Sequence, residues 1–220
     1  MQYILYDGLY ITLSTLAITI VFDFLSLNYI LKLIKTPEGK DLYLKSIMMN
    51  ILNNIILGTL AFVTFVYFFE NKEEKIFFYG FIDFLLLLFI QSLGYYFAHI
   101  LMHTKKLYFI HKFHHKYSEI VIPMSANSVS FLEYIFAYLS PFIIGIILVK
   151  PNRVPLKCAI HLVSFSNILI HTPWLSSISK RLLPNFLVKT YDHLEHHLKS
   201  NKNFSAPIIN WDNLICLKED

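Results

Sequence analysis

The sequence predicts an all-α integral membrane helical bundle of about four to five apolar spans, with a helical histidine-box metal site on its cytoplasmic side. Three observations carry this prediction. Hydrophobic residues make up 55% of the 220 residues and charged residues only 15%, against about 25% charge in a soluble domain. Mean hydropathy is +0.52. Eight of the ten histidines fall into three tight boxes at the ends of apolar stretches. A chain so poor in polar side chains cannot cover itself in water, and its composition excludes disorder, coiled coil and collagen. A net charge of +4 is too small and too scattered to track phosphates, so no nucleic-acid partner is expected. Cys158 and Cys216 sit in no CxxC and read as ordinary packing residues.

A bilayer core of ~30 Å needs about 20 mainly apolar residues in a helix. The first candidate span runs from about Leu9 to Ile34 and is interrupted by Asp23; the second covers Ile47 to Phe69. The third runs from Ile76 to Ala98 with Asp83 inside it, and the fourth from Phe131 to Val149. The last, Pro155 to Ile170, is short and reads as half of a re-entrant hairpin with the fourth. No lysine or arginine precedes Lys32, so no cleaved signal peptide is expected. Intramembrane carboxyls are costly and functional by default. Asp23 and Asp83 lie far from the boxes, and polar contacts between spans are their expected role.

Lysines between the spans set the orientation. Lys32, Lys35, Lys40 and Lys45 follow the first span, Lys72 and Lys75 the second, and Lys105, Lys106, Lys112 and Lys116 the third. The N-terminus is therefore expected outside, with the region after the third span and the C-terminal tail in the cytoplasm. The turn carrying Lys150 and Arg153 falls on the wrong side if the last pair crosses fully, and a shallow hairpin would relieve that conflict.

The boxes are HxxxH (His99, His103), HxxHH (His111, His114, His115) and a second HxxHH (His193, His196, His197). Five histidines lie between His99 and His115, where even scattering predicts roughly 0.8. Residues three and four apart share a helix face, so each HxxHH box is expected to form a three-imidazole patch. Neutral imidazole suits Fe, Zn, Cu and Ni, and eight imidazoles on three short segments can close around a metal pair. His171, four residues after Asn167, reads equally as a capping histidine or as a ninth ligand oriented by Asn167. His161 lies ten residues earlier, ~15 Å along a helix, and is expected to be structural. A zinc hydrolase is disfavoured because the chain has no HExxH, and a metal transporter because the boxes do not line the spans.

The ordered boxes and their flanks resemble the fatty acid hydroxylase/sterol desaturase superfamily, membrane enzymes whose histidine boxes hold a di-iron centre that activates O₂. Tyr95-Tyr96-Phe97-Ala98-His99 resembles the run into the first box, and "LYFIHKFHHKYSE" is similar to the second with its flanks. "NILIHTPW" resembles the segment that supplies a further histidine. "YDHLEHH" with Asn203-Phe204 and Trp211-Asp212 resembles the third box and its close. The resemblance spans about Leu93 to Leu214. It implies N-terminal membrane helices over 1–80 and a hydroxylase-like domain with three histidine boxes over 81–220.

It further implies two irons, with zinc able to replace them on isolation. The implied ligands are His99, His103, His111, His114, His115, His171, His193, His196 and His197, with Glu133 and Asn167 supporting the chemistry and Asp192 and Glu195 beside the third box. The implied reaction is hydroxylation of a fatty acyl or sphingoid chain with O₂ and two electrons from a separate donor such as cytochrome b5. Lys105, Lys106, Lys112 and Lys116 could steer an acidic donor. In a eukaryote the membrane would be the endoplasmic reticulum. Ser92, Ile100 and Ser130 stand where the family often has aspartate, arginine and histidine, and Ile215-Cys216-Leu217 replaces the usual ending. Ser92, Ile100 and Ser130 keep a catalytically silent metal- or lipid-binding member open, and among enzymes the alternative is a sterol desaturase or C4-methyl oxidase of the same superfamily.

Overall fold

The computed structural model describes residues 2–73 and 75–215, so Cys216 lies outside the described residues. Among the described residues the chain is helical, apart from one antiparallel bridge between Leu187 and Ile209. Among the described residues, five helices are long and apolar enough to cross a bilayer: α1 (Gln2–Leu25), α3 (Pro37–Phe69), α4 (Phe77–Met102), α5 (Phe131–Val149) and α6 (Arg153–Ile170). The short helix α2 (Leu27–Leu33) links the first two, and α7 (Ser176–Leu182), α8 (Thr190–Leu198) and α9 (Trp211–Leu214) follow the last. This is the helical content of a multi-pass membrane protein.

Two boundaries differ from the hydropathy reading. The stretch from Leu9 to Ile34 is one apolar run but two helices, broken at Ser26. Helix α3 starts at Pro37, ahead of the apolar run, because local capping decides a helix start. Thr36 Oγ1 accepts from the Gly39 N–H at 3.0 Å and Pro37 takes the first turn, where its missing N–H leaves no bond unmade. A Cβ on Gly39 would fall 2.0 Å from the Leu33 carbonyl oxygen, so the corner between α2 and α3 needs glycine.

The bundle is polar inside and apolar outside. Leu13, Ile20, Phe24, Leu60, Phe68, Leu85, Leu86, Phe89 and Ile147 are exposed, while Thr12, Thr15, Thr19, Asn50, Asn53, Asn54 and Gln91 are buried. That distribution suits lipid as solvent, where outward apolar surface carries no penalty and buried polar groups tie helices together. Helix α4 packs on α5 and α6, and α1 packs on α3 and α6. Ile11, Phe62, Val66, Leu87, Ile146 and Val163 belong to the shared core.

The end opposite the boxes is closed by ion pairs. Arg153 grips Glu70 through Nε and Nη2, both at 2.8 Å, and Lys157 meets Asp7 at 2.8 Å. Lys75 meets Asp83 at 2.7 Å, so Asp83 pairs with a loop lysine and does not tie two spans together. The Asn71 N–H donates to the Pro151 carbonyl at 3.1 Å, and Asn152 Nδ2 to the Asn71 and Glu73 carbonyls at 2.8 Å each. The α5–α6 hairpin therefore reaches the level of the loop after α3, and the shallow, re-entrant expectation is corrected. Carboxylates from α1 and the end of α3 accompany its cations, so Arg153 is not a free charge at that end.

At the other end, the segment from Tyr117 to Ser130 is seated on the N-terminal helices. Asp23 accepts from the Tyr43 hydroxyl and the Met124 N–H, both at 2.9 Å. Asn50 Nδ2 donates to the Met124 carbonyl at 3.0 Å, and Asn53 Nδ2 to the Val129 carbonyl at 2.9 Å. Helices α1 and α3 thereby hold the strap that runs from the second histidine box into α5.

Candidate metal centre

Helix α4 carries His99 in its last turn, with His103 at its end; a helical turn, Tyr108–His111, then brings His111 back against them. His114 and His115 begin a 3₁₀ turn, His171 follows α6, and α8 carries His193, His196 and His197. All nine are buried except His103, which is half-buried. The imidazoles gather into two nests. One nitrogen each from His99, His103, His111, His115 and His196 lie within 4.8 Å of one another, as do nitrogens from His114, His171, His193 and His197.

The expected one-face patches are therefore corrected. In the second box His111 and His115 join the first nest and His114 the second; in the third, His193 and His197 join the second nest and His196 the first. The i,i+4 pair of each HxxHH goes one way and the remaining histidine the other. Imidazoles of the two nests touch, as with His111 and His114 at 5.2 Å and His115 and His197 at 5.1 Å between ring centroids.

Nitrogen spacing tests whether a metal fits. In the first nest Nε2 of His99 lies 3.0 Å from that of His111 and 3.2 Å from that of His103. In the second, His171 Nε2 lies 2.9 Å from His193 Nε2, 3.3 Å from His114 Nε2 and 3.4 Å from His197 Nε2. With metal–nitrogen bonds of about 2.1 Å, adjacent ligands stand about 3.0 Å apart on an octahedron and about 3.4 Å apart on a tetrahedron. The observed spacings cover that range. Three nitrogens crowding His171 Nε2 cannot all share one proton, and His115 and His196 each bury an unpartnered Nε2. The donor set fits a metal in each nest.

Four of the outward nitrogens are held. Nδ1–H donates from His99 to the Phe204 carbonyl at 2.6 Å, from His196 to the Lys202 carbonyl at 2.6 Å, and from His171 to the Asn167 carbonyl at 2.7 Å. His111 Nδ1 meets Glu133 Oε1 at 2.6 Å, both side chains fully buried. Such bonds choose the tautomer that points Nε2 inward and raise its basicity. Burial first, and neighbouring imidazoles second, push His103 and His115 down to about 3 from the ordinary 6.5. Burial also takes His171 and His196 down to about 4 against the opposing pull of their carbonyl partners. The imidazoles outside the spans are neutral at neutral pH, with lone pairs free.

Glu133 is positioned by Ser130, whose hydroxyl accepts from the Glu133 N–H at 3.1 Å and donates to the Ile110 carbonyl at 2.7 Å. Ser130 thus ties the second box to α5 at a position where histidine was expected from the resemblance. Asn167 orients His171 through its backbone carbonyl; its side chain donates to the Ala126 carbonyl at 2.8 Å. Glu195 turns outward and meets Lys202 Nζ at 2.7 Å, steadying the residue whose carbonyl holds His196. Asp192 is tied to Asn203 through its own backbone carbonyl. Ser92 accepts from Trp211 Nε1 at 3.1 Å, docking the closing Trp-Asp against α4. His161 lies apart from the nests, edge-on to Tyr10 at 5.6 Å. The carbonyls of Lys202 and Phe204 escape sequence reasoning, because a backbone acceptor has no side-chain signature.

No curated protein and no solved structure gives a significant match to the chain. The fatty acid hydroxylase family model matches residues 84–216, well over half of the chain and the whole of the segment that builds both nests. The chain belongs to the fatty acid hydroxylase family.

Proposed function

We propose that the protein is a membrane di-iron oxygenase that hydroxylates a lipid, a fatty acyl or sphingoid chain, with O₂ and two electrons from a separate donor such as cytochrome b5. The observation that carries this reading is the pair of touching imidazole nests at one end of an apolar bundle, in a family of oxidoreductases. His99, His103, His111, His115 and His196 would hold one metal, and His114, His171, His193 and His197 the other. Two irons, when bound, would supply the oxidant that an unactivated C–H bond requires.

The protein's own part is to orient and exclude. Glu133 keeps the proton of His111 on Nδ1, and the Asn167 carbonyl does the same for His171, so the inward nitrogens stay ready. Residues 81–220 carry this machinery, while residues 1–80 complete the bundle and seat the 117–130 strap. Exposed Lys105, Lys106, Lys112 and Lys116 would steer an acidic donor to the same end. That end faces the cytoplasm in this reading, in the endoplasmic reticulum membrane if the organism is eukaryotic.

The test is metal content per chain on detergent-purified protein, followed by ¹⁸O₂ incorporation into added lipids with a donor system. The double variant His196→Ala, His197→Ala removes one ligand from each nest. About two metals in the parent, loss in the variant and label in an acyl product would support the reading. Label in a sterol would change the substrate and keep the chemistry. One metal or none would refute the di-iron assignment.

A further inference from the structure

Helix α6 ends at Ile170, but the chain does not leave the apolar bundle there. Trp174 stacks on Phe22 of α1 with ring centroids 6.3 Å apart, and Phe22 meets Phe165 of α6 edge-on at 6.0 Å. Phe22 and Phe165 belong to spanning helices, so the segment after α6 begins at the level of the bilayer edge. Trp174, Ile178 and Leu182 follow at intervals of four, along one side of α7 and the turn before it. Leu183 and Phe186 extend the patch. All five are exposed, Leu182 at 66% and Phe186 at 55%. In water such a patch invites association; against lipid it carries no penalty.

The charges agree with a lipid surface. From residue 173 to residue 191 the chain carries Lys180, Arg181 and Lys189 and no Asp or Glu. None of the three enters an ion pair among the described residues. Lys180 lies over the Tyr191 ring at 3.9 Å, and Lys189 Nζ donates to Asn185 Oδ1 at 2.7 Å, both neutral partners. Exposed Trp, Leu and Phe beside uncompensated cations are the complement of a bilayer surface with phosphate headgroups.

Beneath the patch runs a groove of about 330 Å³, at the lower end of the range for ligand sites. Its mouth is formed by the exposed Ile178, Leu182 and Leu183, and its floor by Ile170 and Val188, 3% and 4% exposed. No charged side chain lines it. Ser179 donates to the Ser176 carbonyl at 3.0 Å and Thr190 to the Leu169 carbonyl at 3.1 Å, so these lining hydroxyls are already spent. A hydrocarbon chain matches such walls, whereas a charged group would find no partner. The floor adjoins the metal centre. Ile170 directly precedes His171, and Thr190 opens the helix that carries His193. Ile170 and Val188 pack in one cluster with Tyr95, Ala98 and Met102, which flank the first box.

We propose that segment 174–187 lies in the bilayer surface on the side of the metal centre, and that its groove takes one hydrocarbon chain of a phosphate-bearing bilayer lipid. The headgroup stays outside, against Lys180 and Arg181. As the approach of a substrate to the metals this rests on the lipid-oxygenase reading; as a lipid seat it does not.

Two measurements on the full-length protein, in vesicles of phosphatidylcholine and phosphatidylglycerol, test it. Nitroxide labels are placed one at a time by Leu182→Cys, Phe186→Cys and, as control, Lys105→Cys, with Cys158→Ser and Cys216→Ser in the background. Collisions with oxygen, which concentrates in lipid, are compared with collisions with a nickel chelate, which stays in water. The labels at 182 and 186 should favour oxygen and the control the chelate. A chelate preference at 182 and 186 would overturn the proposal and assign the patch to a protein partner. In the second measurement, phosphatidylcholine with a diazirine on its chain is photolysed and the crosslinks are mapped to residues. Ile170 and Val188 should be labelled, because lipid on the outer surface cannot reach buried residues. Ser166→Trp from α6, or Ser179→Leu from α7, should fill the groove and abolish floor labelling while the exposed Phe24 of α1 labels as before. Labelling confined to exposed residues in the parent, or floor labelling that survives both substitutions, would overturn the groove. Floor labelling in a protein that oxidises no lipid would refute the oxygenase reading and leave this one standing. Lipid oxidation without floor labelling would do the opposite.

Discussion

Replacing Glu133 by glutamine should weaken metal binding without unfolding the protein. The carboxylate is fully buried, as is His111, and their 2.6 Å contact is the only one by which a side-chain anion reaches a nest histidine among the described residues. Glutamine keeps the shape and can still accept from His111 Nδ1–H, so the ring stays oriented. What it loses is the charge that makes the inward nitrogen more basic. A charge-assisted buried hydrogen bond contributes about 1.5–3 kcal/mol. Loss of a supporting carboxylate weakens metal affinity by about 10–100-fold, or about 1.4–2.7 kcal/mol, and the two routes agree.

The assay is competition with a chelator of known affinity, using Zn²⁺ or anaerobic Fe²⁺, beside thermal melts with and without metal. A bound metal stabilises the fold by RT ln(1 + M/Kd), where M is the free metal concentration, so the metal-induced rise in melting temperature should shrink while the chelated protein melts as the parent does. Glu119→Gln, at an exposed site, is the control and should change neither. Parent-like affinity in Glu133→Gln, within about twofold, would refute the claim that this carboxylate tunes the nest.

Three further outcomes follow from the same geometry. His111→Ala and His193→Ala remove ligands from different nests, so each should leave about one metal per chain; equal loss of both metals from either variant would contradict separate nests. Asn167→Leu should keep metal binding, because the contact with His171 is a backbone one, yet lose about 1–2 kcal/mol of stability with the bond to Ala126. Loss of metal with unchanged melting would reverse that assignment. In the chelated protein, unfolded imidazoles take up protons below about pH 6.5, whereas the folded values are depressed to about 4 for His171 and His196 and about 3 for His103 and His115. The contribution is therefore complete above pH 6.5 and is lost as pH falls toward 4. A melting temperature that stays flat across that window would sink the argument.

Much of the molecule is legible in the chain because it depends on near neighbours. The five spans follow from apolar runs and bilayer thickness, and the pairs His99/His103 and His193/His197 follow from one helical turn. Their family belongs to the same layer, since it rests on ordered short boxes. The N-terminal helices read only as generic spans, yet Asp23, Asn50 and Asn53 bond to residues 70 or more positions away, and no local pattern announces such contacts.

The sequence by itself determined a membrane bundle with nine histidines able to meet at one end. Tertiary structure alone decided which histidine joins which nest. The second box is a helical turn and a separate 3₁₀ turn, so the direction of His114 depends on the break between them and on where α6 and α8 bring His171, His193 and His197. It also decided that carbonyls of Asn167, Lys202 and Phe204 hold three of the rings. Every residue carries a carbonyl, and only the folded path of the backbone aims it.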